Sequence, residues 1–94
     1  MTIRQFINSG KVVSEVTEIK RVSCVTVGFI NKHKEEDETQ LTVCQDIRTI
    51  SGSYELEELF NSQAADLGAC KTKITSIVVV ASANTYQELI NMGY

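Results

Sequence analysis

The run KITSIVVVASA, residues 73–83, is the most apolar stretch of the chain and constrains its fold more than any other feature. A continuous apolar run of this length, with no turn residue inside it, predicts a strand that is buried on both faces. Such a strand needs neighbours at its edges and cover on its faces. The remaining elements are therefore expected to pack around residues 73–83.

Both ends of the chain carry helix signals. Thr2 and Gln5 have the spacing of a capping box, and the apolar pattern after them predicts a short helix over residues 2–9, ended by a glycine. Asn84 and Gln87 repeat the capping spacing ahead of a last helix. This last helix is predicted to carry three apolar residues on one side, namely Tyr86, Leu89 and Ile90.

The segments between these helices read as strands. Residues 20–30 are rich in β-branched side chains and predict a strand that is apolar on both sides. Residues 31–38 contain no aliphatic side chain and are expected to form a solvated hairpin loop. Residues 40–48 then alternate as a half-exposed strand, which pairs antiparallel with the first. Residues 11–16 fit a shorter edge strand, although a helical turn across 14–20 fits the same sequence.

A central helix follows the second strand of the hairpin. The segment YELEELFNSQAADLG is amphipathic, with Ser53 as its expected N-cap and Gly68 as its C-terminal stop. Glu55, Glu57 and Glu58 are then expected in the first turns, where carboxylates interact favourably with the positive end of the helix dipole.

These elements predict an α+β fold within a single domain, residues 1–94: a three- to four-stranded mixed, mainly antiparallel sheet with helices packed on it, in the order α-β(β)-β-α-β-α. A right-handed crossover makes residues 73–83 parallel to 40–48 and, most simply, antiparallel neighbours of 20–30. Either residues 11–16 cover the other edge, or a second copy of the protein does. In that second case the dimer edge would consist of Ile77, Val78, Val79 and Val80.

Charge is separated along the predicted hairpin, and both of its ends are candidate binding surfaces. The tip is predicted to contact another protein through Lys32, His33, Lys34, Glu35, Glu36, Asp37 and Glu38. The open end is predicted to contact an anion or an acidic peptide through Lys20, Arg21 and Arg48.

No pattern commits the chain to a reaction. His33 is the only histidine and lies in a polar loop, no serine or cysteine lies in a nucleophile motif, and the glycines are scattered singly. The four consecutive carboxylates lack the alternating ligand spacing and the turn glycine of a calcium loop. We therefore predict no catalytic residue, no metal and no cofactor.

Three cysteines, an odd number, do not suggest a disulfide framework. Cys24 and Cys44 lie in predicted strands and are expected to behave as small buried hydrophobes, whereas Cys70 is the thiol to test for reactivity. The N-terminus lacks the apolar run of a signal peptide, and no stretch is long enough to cross a bilayer. We therefore expect a cytoplasmic protein with no membrane contact.

The net charge of -3 makes nucleic acid an unlikely partner. The order helix, three strands and helix through residue 67 superficially resembles the double-stranded-RNA-binding fold. That resemblance implies a strongly basic start to the second helix, and the sequence there is YELEEL. Membership of that family is therefore rejected.

Well-formed secondary-structure signals without catalytic signatures favour a small non-catalytic protein that binds another macromolecule. An inhibitor or adaptor fits this description, and such proteins are common among accessory factors of viruses and mobile elements. A homodimer is a further expectation. The alternative is a small-ligand-binding or regulatory domain, with a site between the sheet and a helix near Tyr54 or Tyr86.

Overall fold

Seven elements make up the fold. In chain order they are α1 (Ile3–Asn8), β1 (Val13–Ser14), β2 (Val22–Asn31), β3 (Glu36–Val43), α2 (Ile50–Leu67), β4 (Ala69–Ala83) and α3 (Tyr86–Asn91). The computed structural model describes all 94 residues. The four strands form one mixed sheet in the order β1-β4-β2-β3, so the predicted α+β class and element order are confirmed. None of the three helices combines the length and apolar character that crossing a membrane requires.

β4 contains the apolar run and lies between two neighbours, as predicted. It pairs antiparallel with β2 from Ala69 to Ala83 and parallel with β1 at Val78 and Val79. The chain therefore supplies its own cover for the second edge of β4. The covering strand has only two residues, and no helical turn forms across residues 14–20.

α1 and α2 pack on one side of the sheet, here called the inner face. Its core consists of Ile3, Phe6, Val25, Val27, Phe29, Leu41, Val43, Ile47, Leu56, Phe60, Ile74, Ile77 and Val79. The rings of Phe29 and Phe60 meet edge to face, with centroids 5.6 Å apart. Full burial of an aliphatic or aromatic side chain contributes about 1.5–3 kcal/mol, so this cluster is the larger of the two apolar contributions to stability.

α3 packs on the opposite side of the sheet, here called the outer face, and covers only one end of it. The cluster beneath it is small and consists of Val22, Cys24, Ala81, Ala83 and Leu89. Leu89 is the only buried residue of α3. The rest of the outer face carries no helix.

The hairpin is longer and its loop shorter than predicted. β2 continues to Asn31 and β3 begins at Glu36, so half of the expected loop over residues 31–38 is paired strand. The pairs Phe29↔Asp37 and Ile30↔Glu36 extend the ladder to the turn. A strand at the edge of a sheet tolerates charged residues because their side chains reach solvent, so the absence of aliphatic residues did not mark a loop.

β3 ends at Val43 rather than at residue 48, because a turn interrupts it. The N–H of Thr49 donates to the carbonyl oxygen of Asp46 at 3.0 Å, which closes that turn. Ile47 lies in this turn, outside the strand, and reaches the inner core from there. In the sequence, a buried aliphatic residue in a turn can fall at the same alternating position as one in a strand, so the alternation over residues 40–48 did not reveal the turn.

α2 begins one turn earlier than predicted. Its N-cap is Thr49, whose hydroxyl accepts the N–H of Gly52 at 3.1 Å, and Ser53 lies inside the helix. A Cβ at Gly52 would overlap the backbone of Asp46, so this glycine permits a close approach of helix and turn. The first turn consequently contains no acidic residue, and the expected interaction of three glutamates with the helix dipole does not form.

Two smaller expectations are also corrected. Thr85, not Asn84, caps α3, because its hydroxyl accepts the N–H of Glu88 at 3.2 Å. Cys44 lies just beyond the end of β3 and is exposed, whereas Cys24 is buried as expected. The predicted capping box of α1 is present, with Thr2 and Gln5 bonded reciprocally.

Candidate functional site

The hairpin tip, predicted as a protein contact, is an exposed turn with its own hydrogen bonds. All of residues 32–38 are exposed. The side-chain oxygen of Asn31 accepts the N–H groups of His33 at 2.9 Å and Glu35 at 3.1 Å, and Lys34 adopts a positive φ of 63°. The imidazole of His33 has no hydrogen-bond partner, and no ion pair forms at the tip. The tip therefore presents unpaired charges on a shaped turn.

The three cations predicted at the open end of the hairpin come together only in part. Lys20 and Arg21 line one shallow cleft of about 620 Å³, together with Asp46. Arg48 instead binds Asp46, with Nη2 2.6 Å from Oδ2 and Nε donating to both carboxylate oxygens. These hydrogen bonds hold the pKa of Asp46 below its ordinary value. Asp46 thus offsets the charge of Arg48 and also lines the cleft that contains Lys20 and Arg21.

The predicted dimer edge, Ile77 to Val80, lies in the middle of β4. Ile77 and Val79 are buried in the inner core, and β1 pairs with Val78 and Val79. The N–H of Glu15 also donates to the carbonyl oxygen of Val79 at 2.9 Å. β1 therefore occupies the place that a second copy would need, and dimerisation through this edge requires β1 to leave.

The part of the outer face beyond α3 is built from three strands in register. Its rows, from α3 toward the hairpin tip, are Gln40–Thr26–Val78, Glu38–Gly28–Ser76 and Glu36–Ile30. A Cβ at Gly28 would overlap the hydroxyl of Ser76, so the middle row is flat at its centre. The bare outer face is thus apolar and hydroxyl-bearing along β2 and β4, with two carboxylates along β3.

α3 and the residues after it expose large apolar side chains beside this bare surface. Eight large hydrophobic side chains are exposed in the whole protein, and four of them belong to the last nine residues: Tyr86, Ile90, Met92 and Tyr94. A helix of six residues turns only one apolar position, Leu89, onto the sheet. The predicted apolar side of this helix is therefore split between the sheet and solvent.

The start of α3 is fixed to the end of β3 by a polar contact. Cys44 Sγ lies 2.7 Å from Tyr86 Oη, and this hydrogen bond raises the pKa of Tyr86. The N–H of Cys44 donates to the carboxylate of Glu55 at 3.1 Å. Cys44 therefore connects the end of β3 to both α3 and α2 through hydrogen bonds.

Cys70 differs from the other two thiols. It is exposed near the start of β4, and a hydrogen bond with the hydroxyl of Thr72, at 3.4 Å, lowers its pKa. Burial raises the pKa of Cys24. A lowered pKa favours the nucleophilic thiolate, so selective reactivity of Cys70 stays a prediction.

Another cleft lies between α1 and the segment that contains β1, here called the α1–β1 cleft. Its volume is about 440 Å³. Its apolar lining consists of Ile7, Val12, Val16, Ile19 and Ile47, and its polar lining of Asn8, Ser14, Thr17 and Arg48. Neither Tyr54 nor Tyr86, the expected neighbours of a ligand site, lines any cleft. Tyr54 instead stacks under the guanidinium of Arg4, which lies 3.9 Å from the ring centroid.

Sequence reasoning missed both the exposed side of α3 and the α1–β1 cleft. The exposed side of α3 could have been found from the sequence. Met92 and Tyr94 flank a glycine just after a helix that is too short to bury several large side chains. The α1–β1 cleft had no such signal, because irregular backbone between Gly10 and Lys20 shapes it, and its aliphatic residues follow no helix or strand period.

Comparison with known proteins adds no functional assignment, since no family model, curated protein or solved structure matches this chain. Within the structure, no three histidine, cysteine, aspartate or glutamate side chains come close enough to hold a metal ion. The candidate binding surfaces are therefore the outer face, the exposed side of α3 and the α1–β1 cleft.

Proposed function

We propose that this protein is a small non-catalytic module that binds another protein through the bare outer face together with the exposed side of α3. The observation that carries the proposal is the concentration of half the exposed large hydrophobic side chains in residues 86–94, on the same sheet face as the part that no helix covers. Large apolar side chains that are exposed together in one segment are typical of interaction sites.

The composition of this surface indicates the chemistry of the partner. Tyr86 and Met92 are residue types that are enriched in the centres of interfaces, where they supply large contact areas. Glu36 and Glu38 lie on the same face at its far end and form no ion pair within the chain. A partner that presents an apolar centre flanked by lysine or arginine is complementary to this arrangement.

An inhibitor or adaptor acting in the cytoplasm fits such a surface, and free exposed thiols at Cys44 and Cys70 are compatible with a reducing compartment. A second copy of this chain is the competing occupant. Because β1 fills the edge of β4, such a homodimer would use the outer face, and the native mass distinguishes it from a complex with a different protein.

A capture experiment from cells of the native host tests the proposal. The wild-type protein is compared with Ile90→Glu and with Ile50→Glu, since Ile50 is 76% exposed on α2 and Ile90 is 58% exposed on α3. Proteins that bind wild type and Ile50→Glu but not Ile90→Glu are the expected partners. If both variants remain folded and Ile90→Glu captures the same proteins as wild type, the proposal is contradicted.

The charge component has its own test on the purified complex. Replacing Glu36 and Glu38 by glutamine is expected to lower the association rate and to weaken its dependence on salt, because exposed interfacial charges act mainly by steering encounter. Replacing Glu58, an exposed carboxylate on α2, by glutamine is the matched control. Equal effects of the two changes would argue against partner contact at β3.

A further inference from the structure

We propose that the α1–β1 cleft binds a small amphipathic carboxylate, a molecule with an aliphatic body and one anionic head. The cleft shares no residue with the outer face, so this site is independent of the proposed protein partner. Its volume of about 440 Å³ lies within the range of roughly 300–1,000 Å³ that is usual for small-molecule sites.

The apolar lining fits the aliphatic body. Ile7, Val12, Val16 and Ile19 pack against the inner core with part of their surface, and the remainder stays accessible in the cleft. Wet aliphatic surface on several converging side chains is unfavourable, and an aliphatic ligand would remove it from water. The lining of the cleft therefore suits a ligand with an aliphatic part better than a ligand that is polar throughout.

The charge of the cleft fits the anionic head. Arg48 is the only charged residue of the lining, and Glu15 and Glu18, from the same segment of chain, do not contribute to it. Asp46 occupies Nε and Nη2 of the guanidinium and leaves Nη1 without a partner. An arginine has more donors than this one carboxylate uses, so a second carboxylate can bind to its free edge.

Two further polar groups are available for the head group. The side chains of Asn8 and Thr17 line the cleft and make no hydrogen bond within the protein. Ser14 differs, since its hydroxyl donates to the carbonyl oxygen of Val16 at 2.8 Å and serves the local turn. An amide, a hydroxyl and a guanidinium edge together favour a carboxylate over an ammonium head.

The experiment titrates the full-length protein with octanoate, 1-octanol and octylammonium, which share one aliphatic chain and differ in the head. Binding is followed by amide and methyl chemical shifts. Octanoate is expected to saturate the protein and to shift Val12, Val16, Ile19 and Ile47, whereas octylammonium binds at least about fivefold more weakly because it faces Arg48. Shifts that map to α3, or the absence of saturation with octanoate, would overturn the proposal.

Variants separate the two parts of the site. Val12→Phe fills the cleft and is expected to abolish octanoate binding, whereas Val13→Phe, a neighbour that is 56% exposed and outside the lining, preserves it. Equal binding by both variants rejects the site. Amide spectra of both variants establish that they are folded.

A matched pair of charge variants tests the head group and stays informative even where Val12→Phe does not fold. Arg48→Gln is expected to weaken octanoate binding about fivefold, and Asp46→Asn to strengthen it, because the amide no longer competes for the guanidinium. Binding of 1-octanol is expected to ignore both changes. Identical responses of octanoate and 1-octanol would exclude Arg48 as the head-group contact and would overturn the carboxylate assignment.

Discussion

The two faces of the sheet are packed very differently. The inner face has two helices and a core of thirteen buried residues, whereas the outer face has one six-residue helix and a cluster of five. Both faces carry side chains from the same three strands, and the difference arises from what the rest of the chain places above them. The inner face is therefore expected to determine stability, while the outer face remains available to a partner.

The largest effect is expected from the centre of the inner face. Phe60→Ala removes a fully buried ring that packs edge to face on Phe29, and should lower the free energy of unfolding by about 3–5 kcal/mol. Denaturant unfolding followed by circular dichroism measures the change. If Phe60→Ala lost no more unfolding free energy than an outer-face substitution, the inner face would not determine stability.

A smaller and more local effect is expected beneath α3. Leu89→Ala removes the only buried side chain of this helix and should cost about 2.5 kcal/mol, near the lower end for leucine truncations. The amides of residues 86–91 should exchange faster, and Cys24, which lies in the cluster under α3, should become accessible to thiol reagents. Phe60→Ala is the control, since it should accelerate exchange in β2 and β4 as well.

The same contrast explains which parts of the fold were predictable. Residues 73–83 predicted the central strand, and Thr2 with Gln5 predicted α1, because a long apolar run and a capping box are local signals with one structural meaning. The outer face was harder, since Tyr86, Leu89 and Ile90 look alike in sequence while only one of them is buried. Tertiary geometry decides which of them faces the sheet.

The start of α2 shows the same limitation. Ser53 and Thr49 are both good capping residues, and the intrinsic preference slightly favours Ser53, although Thr49 is the observed cap. The start of α2 depends on Gly52, whose missing side chain lets the helix approach the turn at Asp46. The α1–β1 cleft depends in the same way on irregular backbone, and so the candidate ligand site was invisible to periodicity.

Adjacent valines on β4 allow the closest comparison of the faces. Val79 is fully buried on the inner side, and Val78 pairs with Thr26 on the half-exposed outer side. Val79→Thr should cost about 1.5 kcal/mol, because its hydroxyl is buried without a partner, whereas Val78→Thr should change stability by less than about 0.5 kcal/mol. Chemical denaturation of both variants measures the difference, and equal costs would show that the outer face is covered in solution.

The smallest expected effect concerns the one ion pair of the structure, which lies beside the inner layer, between β3 and α2. Arg48 lowers the pKa of Asp46 below its ordinary value of 3.8. A carboxyl whose pKa is lower in the folded state stabilises the fold above its unfolded pKa, and this contribution is lost as the pH falls through the folded pKa.

Near neutral pH, Asp46→Asn should therefore be less stable than wild type. The loss should be smaller than that caused by Val79→Thr, because exposed ion pairs contribute little to stability. The difference should shrink once the pH falls below 3.8. Unfolding of the two proteins across this pH range measures it, with Glu58→Gln as a control carboxylate that has no ion pair. The inner layer depends on apolar burial, so removing its only ion pair should leave the fold intact at every pH where the wild type is folded. Unfolding of Asp46→Asn at neutral pH would instead mean that electrostatics, and not the packing of α1 and α2, distinguishes the inner face from the outer one.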